Sequence, residues 1–441
     1  MPVSPTPQVQ IPSSTEVSPT ATVSSLTEST TRTPQDDPST LASPAATSGA
    51  VQTVFPTVAT SAEENKQVQD VEAAASEVRG LTPKEDVPEE FITRDQLRSN
   101  LINDMKKDYS PQEAKDDALE LWLLRLVDNR SIDLYQLYID LYTENIAGYY
   151  DPKENKLFVL GDQQQLSPQS RETLAHEFVH GLQDQHYDLE KLLPDNSPDD
   201  DRSTAIRSLV EGDATLSGVM YAYKHLTKEE FQQLIDESRN NPSDVIDKAP
   251  AYIKDSLLFP YTTGADFVSK LIEQGGFDRV NKALADPPVS TEQIMHPDKY
   301  LEPLRDLPLP VTVPPLTSTL GTGWTFVEGS TLGEFDLLEI LKANGTSSPD
   351  NVAEGWGGAR YALYRNGNDG LVIVDSRWDS ASEAKEFEDG LRETFQKVST
   401  VGDIWKDSAG RFFGIKRIGD RLALVASTTD TSVQKALGEV K

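Results

Sequence analysis

Residues 171 to 182 read Arg-Glu-Thr-Leu-Ala-His-Glu-Phe-Val-His-Gly-Leu and contain the pattern H-E-x-x-H as His176, Glu177 and His180. On an α-helix, residues four apart stand one turn above each other on one face, so the two imidazoles can be aimed at a single point. That geometry suits a pair of zinc ligands. Glu177 follows the first histidine by one position and can reach beside the metal, where a carboxylate takes a proton from a metal-bound water. With five histidines in 441 residues, chance produces the pattern in roughly one of two hundred such chains.

The elements that must position this stretch can be read around it. Ser167 and Pro168 read as N-cap and first helical residue. Thr173, Leu174, Ala175, Phe178, Val179, Gly181 and Leu182 carry no charge, which predicts a buried helix. The competing reading is two histidines on an ordinary amphipathic helix. A catalytic zinc usually has three protein ligands and an open position, so a third ligand is expected downstream. Glu211, in Leu-Val-Glu-Gly-Asp-Ala, belongs to a second predicted helix, and Gly212 would let that helix come close to the first. His186 has the spacing of the metzincin pattern H-E-x-x-H-x-x-G-x-x-H, but Gln183 stands where that pattern has its turn glycine. Asp213 is the third candidate and points to another side of its helix than Glu211.

The combination of Leu174-Ala-His-Glu-Phe-Val-His180 with Glu211-Gly-Asp-Ala214 resembles the gluzincin group of zinc metallopeptidases. There the H-E-x-x-H helix supplies two ligands and a glutamate on the next helix the third. Ser290-Thr-Glu-Gln-Ile-Met-His-Pro-Asp-Lys-Tyr300 is similar to a segment of poorly characterised bacterial proteins grouped as secreted zinc peptidases. The resemblance covers roughly residues 80 to 305. It implies a zincin-like fold, Zn2+ as cofactor, His176, His180 and Glu211 as metal ligands, Glu177 as general base and a peptide or protein substrate. A gluzincin also tends to supply a Tyr or His to the developing oxyanion, which makes His296 and Tyr300 candidates, with a structural role for both as the alternative.

Composition narrows the rest. Seventy-two acidic against 41 basic side chains give a formal charge of -31, which argues against nucleic acid or an anionic membrane as the main partner. Without cysteine there is no disulfide, no thiolate zinc site and no cysteine nucleophile, and no G-x-S-x-G elbow supports a serine hydrolase. No apolar run approaches the roughly 20 residues that span a bilayer. Just over half of residues 1 to 60 are Ser, Thr or Pro, and Phe55 is the only aromatic there. Residues 1–62 are therefore expected to be a disordered stalk. Such stalks join anchors to extracytoplasmic domains, so a secreted or cell-surface location is expected, against a generic disordered tail.

Residues 63–315 are expected to form one mainly helical metallopeptidase domain with a short β-hairpin. Capping boxes at Thr93/Gln96 and Thr227/Glu230, a start at Ser110-Pro111, and a tyrosine-rich segment over about 132 to 143 predict helices. Ile146 to Tyr150 and Leu157 to Leu160 flank a turn and predict the hairpin, one strand of which could line an extended peptide or could simply pack on the helix. Asp195 to Asp201 read as an acidic solvated connection; calcium binding there lacks an ordered ligand spacing. Gly275-Gly276 and Pro287-Pro288 break the later helices, and the proline-rich stretch 303 to 315 reads as a boundary. Beyond it, helix (331 to 343), strands (360 to 365 and 370 to 375), helix (381 to 397) and strands (411 to 417 and 421 to 427) predict a small α+β domain over 316–441 with an antiparallel sheet. The whole is α+β. The rival to a peptidase is a surface-displayed binding protein with a structural metal site.

Overall fold

Helices begin where the sequence supplies a capping hydroxyl. The computed structural model describes residues 62–441 except 145–147, 161–165, 195–196, 241–243, 302, 304 and 396–398, so the Ser/Thr/Pro-rich segment lies outside the described residues. The described chain opens with α1 (Ala62–Arg79), strand β1 (Glu89–Ile92), α2 (Arg94–Asp108), α3 (Glu113–Leu123) and α4 (Leu134–Glu144). The Thr93 side chain accepts from the Gln96 N–H while Gln96 accepts from the Thr93 N–H, the reciprocal bonds of the expected capping box. Ser110 and Glu113 exchange the same two bonds before α3.

Strands β2 (Gly148–Asp151) and β3 (Lys156–Leu160) form the expected antiparallel hairpin. β1 adds to it, parallel to β3, giving the order β1-β3-β2. Four residues, Glu-Glu-Phe-Ile, are too short for alternation to announce a strand. β2 is left at the edge, against the helix that follows. That helix, α5 (Pro168–Tyr187), starts at Ser167, whose hydroxyl accepts from Ser170 N, and it is buried continuously from Thr173 to Gln183. A short α6 (Leu189–Leu192) leads to α7 (Asp200–His225).

The acidic connection is shorter than expected. Asp199 is the N-cap of α7 and Asp200 and Asp201 form its first turn, where carboxylates suit the helix dipole. Asp201 is buried, and its Oδ1 accepts from Thr291 N at 2.8 Å and Thr291 Oγ1 at 2.7 Å. Helices α8 (Lys228–Asn240), α9 (Asp244–Lys248), α10 (Ala251–Gly275), α11 (Phe277–Ala285), α12 (Thr291–Met295) and α13 (Pro297–Tyr300) complete this part. The Thr227/Glu230 box and the breaks at Gly275-Gly276 and Pro287-Pro288 fall where expected.

The C-terminal part contains α14 (Thr317–Leu320), β4 (Thr325–Glu328), β5 (Thr331–Leu332), α15 (Glu334–Asn344), α16 (Pro349–Ala353), β6 (Trp356–Asn366), β7 (Asp369–Trp378) and α17 (Ala381–Phe395). It ends with β8 (Ser399–Val401), β9 (Ile404–Lys406), β10 (Phe412–Ile418), β11 (Arg421–Ser427) and α18 (Asp430–Glu439). Its eight-stranded antiparallel sheet runs β4-β6-β7-β11-β10-β9-β8, with β5 also on β6. The chain is thus a mixed α+β protein. Leu119, Trp122 and Leu123 of α3 share a core with Val372 and Phe413 of the sheet, and Arg411 donates to Trp122 O at 2.6 Å. The two parts pack on one another across the proline-rich stretch.

Helix α7 lies between two cores, one shared with α1, α5 and the small sheet, the other with α10 and α11. On the second side the backbones almost touch. A Cβ on Gly212 would meet Gly264 O at 2.3 Å, and one on Gly264 would meet Ser208 O at 2.2 Å. Gly212 therefore admits α10, not the metal helix as its position beside Glu211 suggested. Because the obstructing atoms are backbone, Gly264→Ala is expected to destabilise the fold by about 1–3 kcal/mol or more, read as a lowered midpoint in thermal or urea unfolding.

Candidate metal centre

The burial of α5 on all sides puts His176, Glu177 and His180 out of water: each is at most 2% exposed. On the facing surface of α7, Glu211 is 4% exposed. Their ligand atoms converge. His176 Nε2 and His180 Nε2 are 3.1 Å apart, and Glu211 Oε2 is 3.4 Å and 3.2 Å from them. Ligands about 2.0–2.1 Å from a tetrahedral zinc stand about 3.3–3.4 Å from each other. The three atoms form a triangle close to one face of such a tetrahedron, and the donor set, two imidazoles and a carboxylate, suits zinc.

Electrostatics within the triad fit a cation site. Burial drives His176 below its usual range. At His180 burial pulls the same way, but the Glu211 carboxylate overcomes it and raises the ring well above its usual range. Burial would raise Glu211, yet the two imidazoles, His180 first, hold its carboxyl far down.

A buried chain of polar groups orients His180. Its Nδ1 lies 2.8 Å from Gln183 Oε1. Gln183 Nε2 donates to Val210 O at 3.0 Å and to Asp213 Oδ2 at 2.9 Å, so the amide oxygen is left to accept from Nδ1–H and His180 turns the lone pair of Nε2 to the site. Asp213 is held in turn by Arg79 of α1, whose Nε lies 2.7 Å from Asp213 Oδ1, both side chains fully buried. Arg79 also donates to Asn281 Oδ1 and stacks on Phe277.

These contacts sort the expected ligands. The structure brings His176, His180 and Glu211 together. Asp213 is committed to Arg79 and Gln183. Because α5 stays helical through Gln183, His186 is carried round to the surface, where its Nε2 meets Thr82 O at 2.9 Å. His296 goes elsewhere as well: its Nε2 lies 2.9 Å from Glu334 Oε1. Its segment packs on α7 at Asp201, ten residues or about 15 Å along the helix from Glu211. Tyr300 donates to Asp286 O. The oxyanion role expected of His296 therefore has no support in its position.

Sequence reasoning missed several neighbours. Gln183 could have been found, since it stands three residues after His180 on the same helix face. Tyr150 and Tyr261 carried no signal. The Tyr150 N–H, at the β2 edge, donates to Glu177 Oε2 at 3.1 Å. The half-buried ring of Tyr261, on α10, stacks over His176 with centroids 6.4 Å apart. Gly181 makes room for this arrangement, because a Cβ there would meet Val87 Cγ2 at 3.1 Å and Tyr150 Cε2 at 3.5 Å.

A second acidic group, Glu292, Asp306 and Asp379, also has ligand atoms close together. Its cation is already present: Lys299 Nζ lies 2.5 Å from Glu292 Oε1, 3.6 Å from Asp379 Oδ2 and 3.9 Å from Asp306 Oδ2.

Residues 324–437 match the model of a family described as Domain of unknown function (DUF8575). That segment is the C-terminal sheet part, and the metal helix lies outside it. No curated protein and no solved structure matches the chain.

Glu211→Ala is expected to weaken zinc binding steeply, and His186→Ala to leave it nearly unchanged. Gln183→Ala should weaken it by about 10–100-fold with the fold kept. Competition against a chromophoric chelator ranks the three.

Proposed function

We propose that the protein is a zinc-dependent endopeptidase, with His176, His180 and Glu211 as metal ligands and Glu177 as general base. His176, His180 and Glu211 form a candidate metal-binding cluster. The observation that supports the catalytic step is the placement of Glu177. It is buried beside the two ligands of its own helix, with one carboxylate oxygen held by the Tyr150 N–H at the sheet edge.

Bound zinc supplies Lewis-acid polarisation of a carbonyl and acidification of water. The chain supplies the rest. Glu177 takes a proton from the attacking water and hands it to the leaving amine; the Tyr150 N–H fixes which oxygen faces the site. The Gln183–Asp213–Arg79 chain keeps the His180 tautomer constant. Tyr261, stacked on a ligand, is the phenol we assign to the developing oxyanion in place of His296. We also place the protein outside the cytoplasm, on the Ser/Thr/Pro content of residues 1–62. Among the described residues, no helix is long and apolar enough to cross a membrane.

A second reading, a surface-displayed binding protein with a non-catalytic metal, is favoured by a specific observation. His180 is 0% exposed, and His176 and Glu211 are at most 4% exposed, a degree of enclosure that suits a structural site. The two readings separate on one residue. Glu177→Gln is expected to keep the metal, by elemental analysis, and to lower hydrolysis of unfolded casein by about 10²–10⁴-fold. Tyr261→Phe should lower kcat by about 10²-fold with zinc affinity unchanged. Equal turnover by the parent and Glu177→Gln, or none by the zinc-loaded parent across a broad peptide library, would leave the binding-protein reading.

A further inference from the structure

Glu172 stands one helical turn before His176, and the chemistry above gives it no task. Its carboxyl sits in the seam between α5 and α7. Oε1 lies 2.7 Å from the place a Cβ would occupy on Gly218, a place that is itself 3.5 Å from His176 Cβ. Gly218 follows Glu211 by seven residues, two helical turns, and so lies on the same face of α7 as the proposed ligand. The carboxyl is therefore seated near His176, on the face of α7 that carries Glu211, in a notch that exists because residue 218 has no side chain.

The carboxyl is held there at a cost. Glu172 is half-buried, and among the described residues no cation or hydrogen-bond donor pairs with it. Burial alone pushes it up to about 7. A carboxylate partly withdrawn from water and without a partner is unfavourable, and an alanine or leucine would fill a helix seam without that penalty. The buried carboxylates of the facing helix α7 behave otherwise: Asp213 has Arg79 and Glu211 has the two imidazoles. The chain also carries a formal charge of -31, a field that draws cationic ligands.

We propose that Glu172 is a cation-recognition subsite beside the metal centre, where it takes an ammonium or guanidinium group of the substrate. Two sources share that chemistry, a lysine or arginine side chain and a free α-amino group. The inference deepens the peptidase reading and rests on it for the ligand being a substrate group. The contact itself is an ion pair formed with the chain's own carboxylate.

The test uses the full chain, zinc-loaded and carrying Glu177→Gln, titrated calorimetrically with three small probes. Nα-acetyl-lysine amide presents only a side-chain cation, norleucine amide only an α-ammonium, and Nα-acetyl-norleucine amide neither. One cationic probe is expected to bind about tenfold more tightly than the neutral one, and which one does so identifies the source. Adding Glu172→Gln should erase the preference while zinc content and circular dichroism stay as they were. Gly218→Ala, which places a methyl where the carboxylate sits, should erase it too and guards against misreading one poorly folded variant. Equal binding of all three probes, or a preference that survives Glu172→Gln, overturns the proposal. Failure of the parent to hydrolyse any peptide would sink the peptidase reading instead, and the probe titrations would still decide whether the subsite exists.

Discussion

Two imidazole nitrogens and a carboxylate oxygen held within 3.4 Å of each other and away from water form a cluster that a cation would stabilise. α1, α5 and α7 supply the cluster and its supports. In the metal-free chain a proton can serve: the carboxylate of Glu211 favours charge on His180, while burial disfavours it on His176. A divalent ion can replace that proton and use all three donors at once, so metal uptake and proton release are coupled. What makes such a site specific is the rigidity of its supports. Here the supports are fully buried and come from distant parts of the chain, Arg79 from α1, Asp213 from α7 and Gln183 from α5 itself. Removing one partner of a buried ion pair typically costs about 3–5 kcal/mol, so Arg79 ties the first described helix to the integrity of the centre.

The second acidic group shows why proximity of carboxylates is not enough. Glu292, Asp306 and Asp379 gather as closely as many metal ligands do, yet Lys299 supplies the positive charge from within the chain and also donates to Glu354 O. The result is a fastener between α12–α13 and the sheet part, beside the His296–Glu334 contact that does the same. In a chain with so large an acidic excess, many carboxylate clusters must be neutralised internally. Among the described residues, Glu211 is paired with His176 and His180 rather than with a lysine or arginine.

How much of this was legible depended on whether the information was local. Helix starts at Thr93, Ser167 and Thr227 were readable because a cap is a contact over three residues. The H-E-x-x-H pair was readable because a four-residue spacing on a helix fixes its own geometry. Glu211 was reachable as a member of the cluster from the pattern of the following helix, and the sheet strands at 360 to 375 and 411 to 427 from their apolar alternation and turns. Arg79 was not, since nothing near it in sequence signals a partner 134 residues away. β1 was missed because its strand character comes from pairing with β3, and Asp200 and Asp201 were misread because acidic composition suits a loop and a helix N-terminus alike. Gly212 was correctly singled out for close packing but given the wrong neighbour, since a glycine announces an approach without saying from which side.

The choice between a catalytic and a structural metal turns on Glu177, and the surrounding fold bears on it. A structural site gains nothing from a carboxylate placed next to its ligands and out of water. Yet the chain holds it there by a main-chain donor from a different element, the Tyr150 N–H of the β2 edge. It locks that strand to α5 through the Tyr150 hydroxyl on Asp184 and through the close approach at Gly181. A backbone donor cannot be lost by substitution of its own side chain, so the orientation of Glu177 is built into the sheet–helix contact. The burial of the centre pulls the other way, because on the peptidase reading a peptide would have to reach the cluster between α5, α7 and the β2 edge. The same seam holds Glu172, and its half-exposure marks where the enclosure is incomplete.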